Sequence, residues 1–170
     1  IWDTKPKFNH NEDFQAKWLE NDFKPWLKTI KAKKIIGIAG NHDKIFQTQP
    51  NRIPQLPWTY LQDTSTEFEG LKIWGSPWTN QNSDWVFTLP ESQLAEKWKL
   101  IPNDTDIVVT HNPPYSYGDY VGNNEYIGSK SLLEKIKLIK PKLMVFGHIH
   151  EGYGTYSIEN SIAANVSVLD

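Results

Sequence analysis

The sequence contains no cysteine, which excludes disulfides and thiolate metal sites. Any transition-metal site must therefore use nitrogen and oxygen donors, which favours Mn, Fe, Ni, Zn or Co over clusters. A formal net charge of -2 argues against a broad basic surface for nucleic acid. The sequence also lacks an apolar run near the roughly 20 residues that a membrane span needs, and no secretory leader pattern opens it. We therefore expect a cytoplasmic protein that does not span a membrane.

Helical and strand patterns alternate along the chain. Apolar residues recur at helical spacing over 11–30, where Pro25 should bend or split the helix, and two further helices are predicted over 92–99 and 129–139. The first ten residues should have no regular structure. Strands are predicted over 34–39, 56–60, 64–68, 71–74, 106–110, 142–146, 157–158 and 161–168. This alternation predicts a single domain over residues 1–170 with a layered α/β architecture.

Four of the five histidines directly follow predicted strands. They occur in Gly40-Asn41-His42-Asp43, Thr110-His111 and Gly147-His148-Ile149-His150. Strand ends are where α/β proteins assemble ligand and metal sites. On an extended segment, His148 and His150 would point the same way, about 7 Å apart. Asn41 and His42 leave their turn in different directions, which favours metal contact for the Asn41 amide oxygen and substrate contact for His42.

Each motif also has a purely structural interpretation. The His-x-His pair could be solvated at a strand end, and asparagine and glycine are ordinary turn residues. Thr110-His111, followed by Pro113-Pro114, is equally consistent with a capped strand and a stiff loop. The joint occurrence of the three motifs favours a metal site.

Together the motifs resemble the second half of the signature of the calcineurin-like metallophosphoesterases. The similarity runs from about residue 13 to residue 170. Within it, segments 68–79, 97–102, 105–107, 110–114 and 146–154 look like the metallophosphodiesterase-domain proteins related to class III cyclic nucleotide phosphodiesterases. The resemblance implies a layered β-sandwich flanked by helices, with two divalent ions (Mn²⁺, Fe²⁺/³⁺, Ni²⁺, Zn²⁺ or Co²⁺) at the strand ends.

The resemblance also implies a role for each motif residue. Asn41, His111 and His148 would bind one ion, and His150 would bind the other. His42 would lie beside the substrate phosphate, near Asn41, as an electrostatic stabiliser or general acid. Asn112 stands where many relatives carry glycine, and we expect it to alter the cleft wall next to His111 without abolishing metal binding.

The first half of the signature, Asp-x-His and Gly-Asp, is missing. Asp3 and His10 have suitable side chains, but they lie in a polar segment with no preceding strand. We therefore expect an N-terminally truncated domain that lacks the first two strands of the fold, with exposed apolar sheet edge. One ion would keep three ligands and the other only His150, so this chain should be poorly active.

The leading functional hypothesis is a metal-dependent phosphodiesterase or phosphatase acting on a small-molecule or nucleotide phosphoester, with cyclic nucleotides among the candidates. A second hypothesis is a non-catalytic metal-binding fragment or scaffold. A third, not favoured, is a nuclease, because lysines near helix ends are more often solvated surface than a basic groove. The lysines in question are Lys31, Lys33, Lys34, Lys135, Lys137, Lys140 and Lys142. The aromatic residues Tyr115, Tyr117, Tyr120, Trp78 and Trp85 could stack a nucleobase or simply pack the cleft.

Overall fold

A computed structural model describes residues 11–80, 85–122 and 125–168. Its helices are α1 (Glu12–Trp18), α2 (Lys24–Thr29), α3 (Lys44–Thr48), α4 (Glu91–Lys99) and α5 (Lys130–Ile139). Its strands are β1 (Ile36–Gly37), β2 (Thr59–Tyr60), β3 (Thr64–Phe68), β4 (Leu71–Ser76), β5 (Thr79–Asn80), β6 (Thr88–Leu89), β7 (Ile107–Thr110), β8 (Tyr120–Val121), β9 (Glu125–Tyr126), β10 (Leu143–Phe146), β11 (Gly154–Ile158) and β12 (Ser161–Asn165). A π-helical turn (Leu19–Phe23) joins α1 to α2.

Within the described residues, the main sheet has the strand order β11-β12-β10-β7-β4-β3. Its four central strands run parallel, and the edge strands β3 and β11 are antiparallel to their neighbours. The apolar runs of β7 and β10 suit such central positions, because parallel strands are covered on both faces. The carboxyl ends of β4, β7, β10 and β12 consequently lie along one edge of the sheet.

A second, smaller layer lies against this sheet. It consists of β1 paired in parallel with β2. A Cβ atom at Gly75 in β4 would lie 2.6 Å from Leu61 and 2.9 Å from Ile38, so a glycine at this position lets the two layers approach. On the other face of the main sheet, α4 and α5 contribute Leu94, Trp98, Leu132 and Ile136 to the core. The predicted fold class, layered α/β with flanking helices, is confirmed.

Several predicted boundaries differ from those observed. The predicted strand 34–39 is reduced to Ile36–Gly37, because among the described residues it pairs only with β2. The prediction missed α3 and the two-residue strands β5, β6, β8 and β9. The predicted helix over 11–30 is divided in two: Pro25 lies in the first turn of α2, directly after the π-helical turn that separates α2 from α1.

Two further predictions concern the N-terminal residues and membrane-spanning segments. Asp3 and His10 lie outside the described residues. In the part of the chain that is described, no helix is long and apolar enough to cross a membrane.

Candidate metal site

The three histidine motifs meet in one cleft. Its volume is about 330 Å³, and it lies where β1, β7, β10 and β12 end. Asn41, His42, His111, His148 and His150 all line it. The structure therefore brings together every site residue that the sequence predicted.

Asn41 and His111 contact each other in this cleft. The Oδ1 atom of Asn41 and the Nε2 atom of His111 lie 2.7 Å apart. Asn41 is only 2% exposed, and its Nδ2 atom has no hydrogen-bond partner among the described residues. The ring of His148 packs edge-on against His111, with 4.8 Å between the centroids. The side chains of Asn41, His111 and His148, whose nitrogen and oxygen atoms are potential metal ligands, thus lie side by side.

A tight turn after β1 places Asn41. The backbone N–H of Gly40 donates to Oδ2 of Asp43 at 2.7 Å, and the N–H of Asp43 donates back to the Gly40 carbonyl at 3.0 Å. Burial raises the pKa of the Asp43 carboxyl, an effect that the Gly40 hydrogen bond opposes. A Cβ atom at residue 40 would lie 2.7 Å from Cε1 of His111. Glycine is therefore required at this position for the His111 ring to reach Asn41.

His42 is held through its backbone by a residue far away in the sequence. Nε2 of Gln15 in α1 donates to the His42 carbonyl at 2.7 Å, and Oε1 of Gln15 accepts from the Ile45 N–H at 2.8 Å. The His42 ring lies against Trp85, with centroids 4.9 Å apart. Trp85 also contacts His148 edge-on at 6.4 Å. The Trp85 ring therefore contacts both His42 and His148 in this cleft.

The segment that carries His148 and His150 is not extended, which corrects the backbone conformation assumed in the prediction, although both residues line the same cleft. His148 has a left-handed backbone, with φ of 73°, and His150 begins a 3-10 turn (His150–Gly152). This bend follows from the anchoring of the loop. Nδ2 of Asn165, buried at the end of β12, donates to the carbonyls of Ile149 and Gly118, each at 2.8 Å.

The electrostatics of the cleft favour neutral imidazoles at His111 and His148. Burial lowers the pKa of His111 well below its usual value, and nearby His148, His42 and His150 add to the effect. Burial, with His42 and His150, lowers the pKa of His148 to about 4. A neutral imidazole is the form that binds a metal ion.

Sequence reasoning missed three residues that shape the cleft. Gln15 and Asn165 act through backbone carbonyls, and no short motif marks them. Ser167 lines the cleft, and its Oγ atom lacks a partner in the described part of the chain. Its position two residues beyond β12, at the same sheet edge as the histidines, is the signal that could have identified it.

The other predicted residues either line a cavity or pack against the hydrophobic core. Asn112 is buried, its Oδ1 accepts from Thr79 Oγ1 at 2.7 Å, and it lines a neighbouring cavity rather than the histidine cleft. Among the aromatic candidates, Trp85 lines the histidine cleft and Tyr115 lines a neighbouring cavity. Trp78 and Tyr117 instead pack against the hydrophobic core, so ordinary packing accounts for those two.

Two of the candidate ligand atoms lie at hydrogen-bond distance from each other, which is also close to the spacing of two donors on one metal ion. Two ligands of one ion, each about 2.1 Å from it, hold their donor atoms about 3 Å apart when they are adjacent, and Asn41 Oδ1 and His111 Nε2 lie 2.7 Å apart. The cleft residues do not fit two ions by themselves. Across residues 11–80, 85–122 and 125–168, no group of three or more His, Cys, Asp or Glu side chains could hold a metal ion.

Comparison with known proteins gives one consistent result. A family profile described as Calcineurin-like phosphoesterase matches residues 8–152. The chain is 34% identical over 190 aligned residues to Metallophosphoesterase domain-containing protein 1 of Homo sapiens, and equally to that of Mus musculus, covering 94% of this chain and 58% of each relative. The chain therefore spans little more than half the length of these relatives.

Structural comparison agrees with the sequence matches. One solved crystal structure aligns with a TM-score of 0.67 at 19% identity, covering 94% of this chain and 66% of that one. At this identity the likeness shows the fold alone.

Proposed function

Because this chain belongs to the calcineurin-like phosphoesterase family, a family of metal-dependent phosphoester hydrolases, we propose that its histidine cleft is part of the active site of a phosphodiesterase or phosphatase. The observation that carries the proposal is the 2.7 Å approach of Asn41 Oδ1 to His111 Nε2, with His148 packed beside them. Such a cluster of neutral donors at strand ends suits a divalent ion and an anionic substrate.

In this proposal, Asn41, His111 and His148 hold one divalent ion, and His150 belongs to a second ion in a dinuclear centre. A bound divalent ion would polarise the phosphate and lower the pKa of a coordinated water. Nitrogen and oxygen donors accept several first-row metals, of which Mn²⁺ is the first to test. Among the described residues His150 alone would hold the second ion, so we expect this chain to bind a single equivalent.

His42 has a separate role in the proposal. Its backbone is fixed by Gln15 and its ring lies against Trp85, so the imidazole has a defined position in the cleft. We assign it to the substrate phosphate. Hydrolysis breaks the bond between phosphorus and the ester oxygen and forms one to a water oxygen, and His42 donates the proton that the departing alcohol takes. The attacking water releases its own proton to solvent.

The structure gives no support to a nuclease groove built from the lysines considered above. Lys33 and Lys34 precede β1, and Lys140 and Lys142 precede β10, so these four lie at the opposite strand ends from the cleft. Lys33 pairs with Glu69 and Lys142 with Asp106, at 2.7 and 2.8 Å. A small phosphoester therefore suits the cleft better than a nucleic acid does.

The proposal is tested by Mn²⁺ binding, measured calorimetrically, and by hydrolysis of bis-p-nitrophenyl phosphate and p-nitrophenyl phosphate. His148→Ala should weaken Mn²⁺ binding and remove metal-dependent hydrolysis. His42→Ala should keep the metal stoichiometry and lower turnover by on the order of 10²-fold or more. Asn41→Ala should weaken binding, whereas Asn103→Ala, an exposed asparagine remote from the cleft, should not.

Two outcomes would contradict the assignment. Loss of metal in His42→Ala would overturn the division of roles between His42 and the metal ligands. Tight Mn²⁺ binding without hydrolysis of either ester would favour the non-catalytic scaffold.

A further inference from the structure

A groove lined by lysines lies at the opposite end of β1 from the histidine cleft. It runs between the end of α2 and the segments that lead into β1 and β2. Its volume is about 470 Å³, within the range of about 300–1,000 Å³ that is usual for ligand sites. Its described lining residues are all different from those of the cleft. We call it the lysine groove.

The floor of the lysine groove is apolar. It is formed by Leu27, Ile30, Ile35, Leu56 and Trp58. Leu27 is buried, and the other four side chains are partly exposed. Covering apolar surface that still meets water in a concave site is favourable for binding. The floor therefore suits an apolar side chain of a ligand.

Trp58 gives this floor a fixed shape. Its ring packs edge-on against Phe23 and Phe46, with centroids 5.2 and 6.1 Å away, and stacks against Tyr60 at 5.9 Å. A Cβ atom at Gly37 would lie 2.5 Å from the Trp58 ring, so the glycine in β1 makes room for it. A site whose side chains are already ordered loses less conformational entropy when it binds a partner.

The charged side chains that line the lysine groove are all positive among the described residues. They are Lys28, Lys33 and Lys34. Lys34 Nζ donates to Thr66 Oγ1 at 2.7 Å and to a backbone carbonyl of β3 at 2.9 Å, and these neutral acceptors leave its charge unbalanced. Lys33 pairs with Glu69 at 2.7 Å, but both side chains are largely exposed, so this pair holds Lys33 only weakly. The groove is thus locally basic in a chain whose formal net charge is -2.

We propose that the lysine groove binds an acidic segment of a partner protein, with an apolar side chain on the floor and neighbouring carboxylates paired with Lys28, Lys33 and Lys34. An apolar groove bordered by charge of one sign selects a peptide that carries apolar anchors and the opposite charge. The groove is separate from the candidate metal site, so this inference goes beyond the proposed function and does not depend on it.

Two other classes of partner suit the lysine groove less well. A membrane surface takes up apolar side chains that protrude from a protein, whereas these apolar side chains form a concave floor. A nucleic acid would place charged phosphates against the same apolar floor. An acidic peptide with an apolar anchor matches both the floor and the lysines.

A random heptapeptide library displayed on phage tests the proposal without assuming a sequence. The library would be selected on the immobilised full chain and on a double variant, Lys28→Glu with Lys33→Glu. Peptides that bind the parent chain should combine Asp or Glu with a large apolar residue. In fluorescence anisotropy, the double variant should bind these peptides about tenfold more weakly or worse, because two attractive contacts become repulsive. Binding to the parent chain should also weaken as the salt concentration rises.

The matched control is a second double variant, Lys99→Glu with Lys137→Glu. These lysines are exposed on α4 and α5, and the two substitutions change the net charge by the same amount. The control should bind the selected peptides as the parent does.

A further variant tests the floor. Ile30→Ser removes an apolar contact and should weaken binding about fivefold or more. Circular dichroism would check that the variant is folded. If it is not, the two lysine double variants still decide the question.

Three results would overturn the proposal. The first is a selection that enriches no peptide able to distinguish the parent chain from Lys28→Glu with Lys33→Glu. The second is enrichment of peptides without acidic residues. The third is equal weakening by the control pair, which would show that general charge rather than the groove attracts the peptides.

Vesicles containing phosphatidylserine and a single-stranded thymidine oligonucleotide serve as competing probes. If either binds the parent chain and not Lys28→Glu with Lys33→Glu, while no peptide is selected, the groove belongs to a membrane or nucleic-acid contact and the proposal is wrong.

Discussion

The geometry of the candidate metal site depends on the absence of a single side chain at Gly40. Because a Cβ atom there would lie 2.7 Å from Cε1 of His111, Gly40→Ala should displace the His111 ring from Asn41. We expect Mn²⁺ affinity to fall at least tenfold, on the scale seen when a group that orients a ligand is lost. Calorimetric titration with Mn²⁺ measures this change.

The matched control is Gly122→Ala. A Cβ atom at Gly122 would meet nothing within 4 Å, so this variant should bind Mn²⁺ as the parent does. If Gly40→Ala also retains normal affinity, His111 is not constrained by the turn and its role as a ligand is in doubt.

The motif residues of the site could be predicted because each follows a strand, and strand ends converge. That rule predicted a shared site for the three motifs, and the resemblance to the calcineurin-like metallophosphoesterases grouped Asn41, His111 and His148 within it. The left-handed backbone of His148 could not be predicted, because long-range hydrogen bonds from Asn165 hold the following loop in place. Gln15 was missed for the same reason, since it acts across 27 residues of sequence.

Helix α1 positions the loop that carries His42. The Gln15 side chain joins α1 to the His42 carbonyl and to the first turn of α3. Gln15→Ala removes two hydrogen bonds and should lower the free energy of unfolding by about 1–3 kcal/mol. It should also lower turnover more than Mn²⁺ affinity, because His42 shifts while the metal ligands stay in place.

Denaturant unfolding and hydrolysis assays on the same variant measure the two effects. Lys17→Ala, an exposed position on the same helix, should change neither quantity. A normal rate in Gln15→Ala would mean that the His42 loop is held by other contacts.

Longer elements were predicted better than short ones. The predicted strands 64–68 and 106–110 and the predicted helix 129–139 agree closely with β3, β7 and α5. The apolar run of β7 and the helical period of α5 each extend over several residues. Strands β5, β6, β8 and β9 have two residues each, too few for a period to be seen. Strand β1 is shorter than the apolar run that predicted it, because its described length is determined by the residues that pair with β2.

Within the described residues the two faces of the main sheet are covered unequally: α4 and α5 lie on one face, whereas the β1–β2 layer contacts the other at β4 and leaves residues of β12 exposed. On the face toward α4 and α5, Ala163 and Met144 are fully buried. Side chains alternate along a strand, so Ile162 in β12 and Leu143, its partner in β10, lie on the other face. Ile162 is 58% exposed, and Val166 beyond the end of β12 is 52% exposed. We call this side the open face.

An open apolar face promotes association between copies of a chain. Ile162→Thr combined with Val166→Thr keeps β-branched side chains, so strand preference is retained while apolar exposure falls. Sedimentation velocity over a range of concentrations should show the double variant monodisperse at higher concentration than the parent, with the free energy of unfolding changed by less than about 1 kcal/mol. Leu138→Thr is the control: Leu138 is 72% exposed, but on α5. An equal improvement from that control would show that general surface hydrophobicity, rather than the open face, drives association.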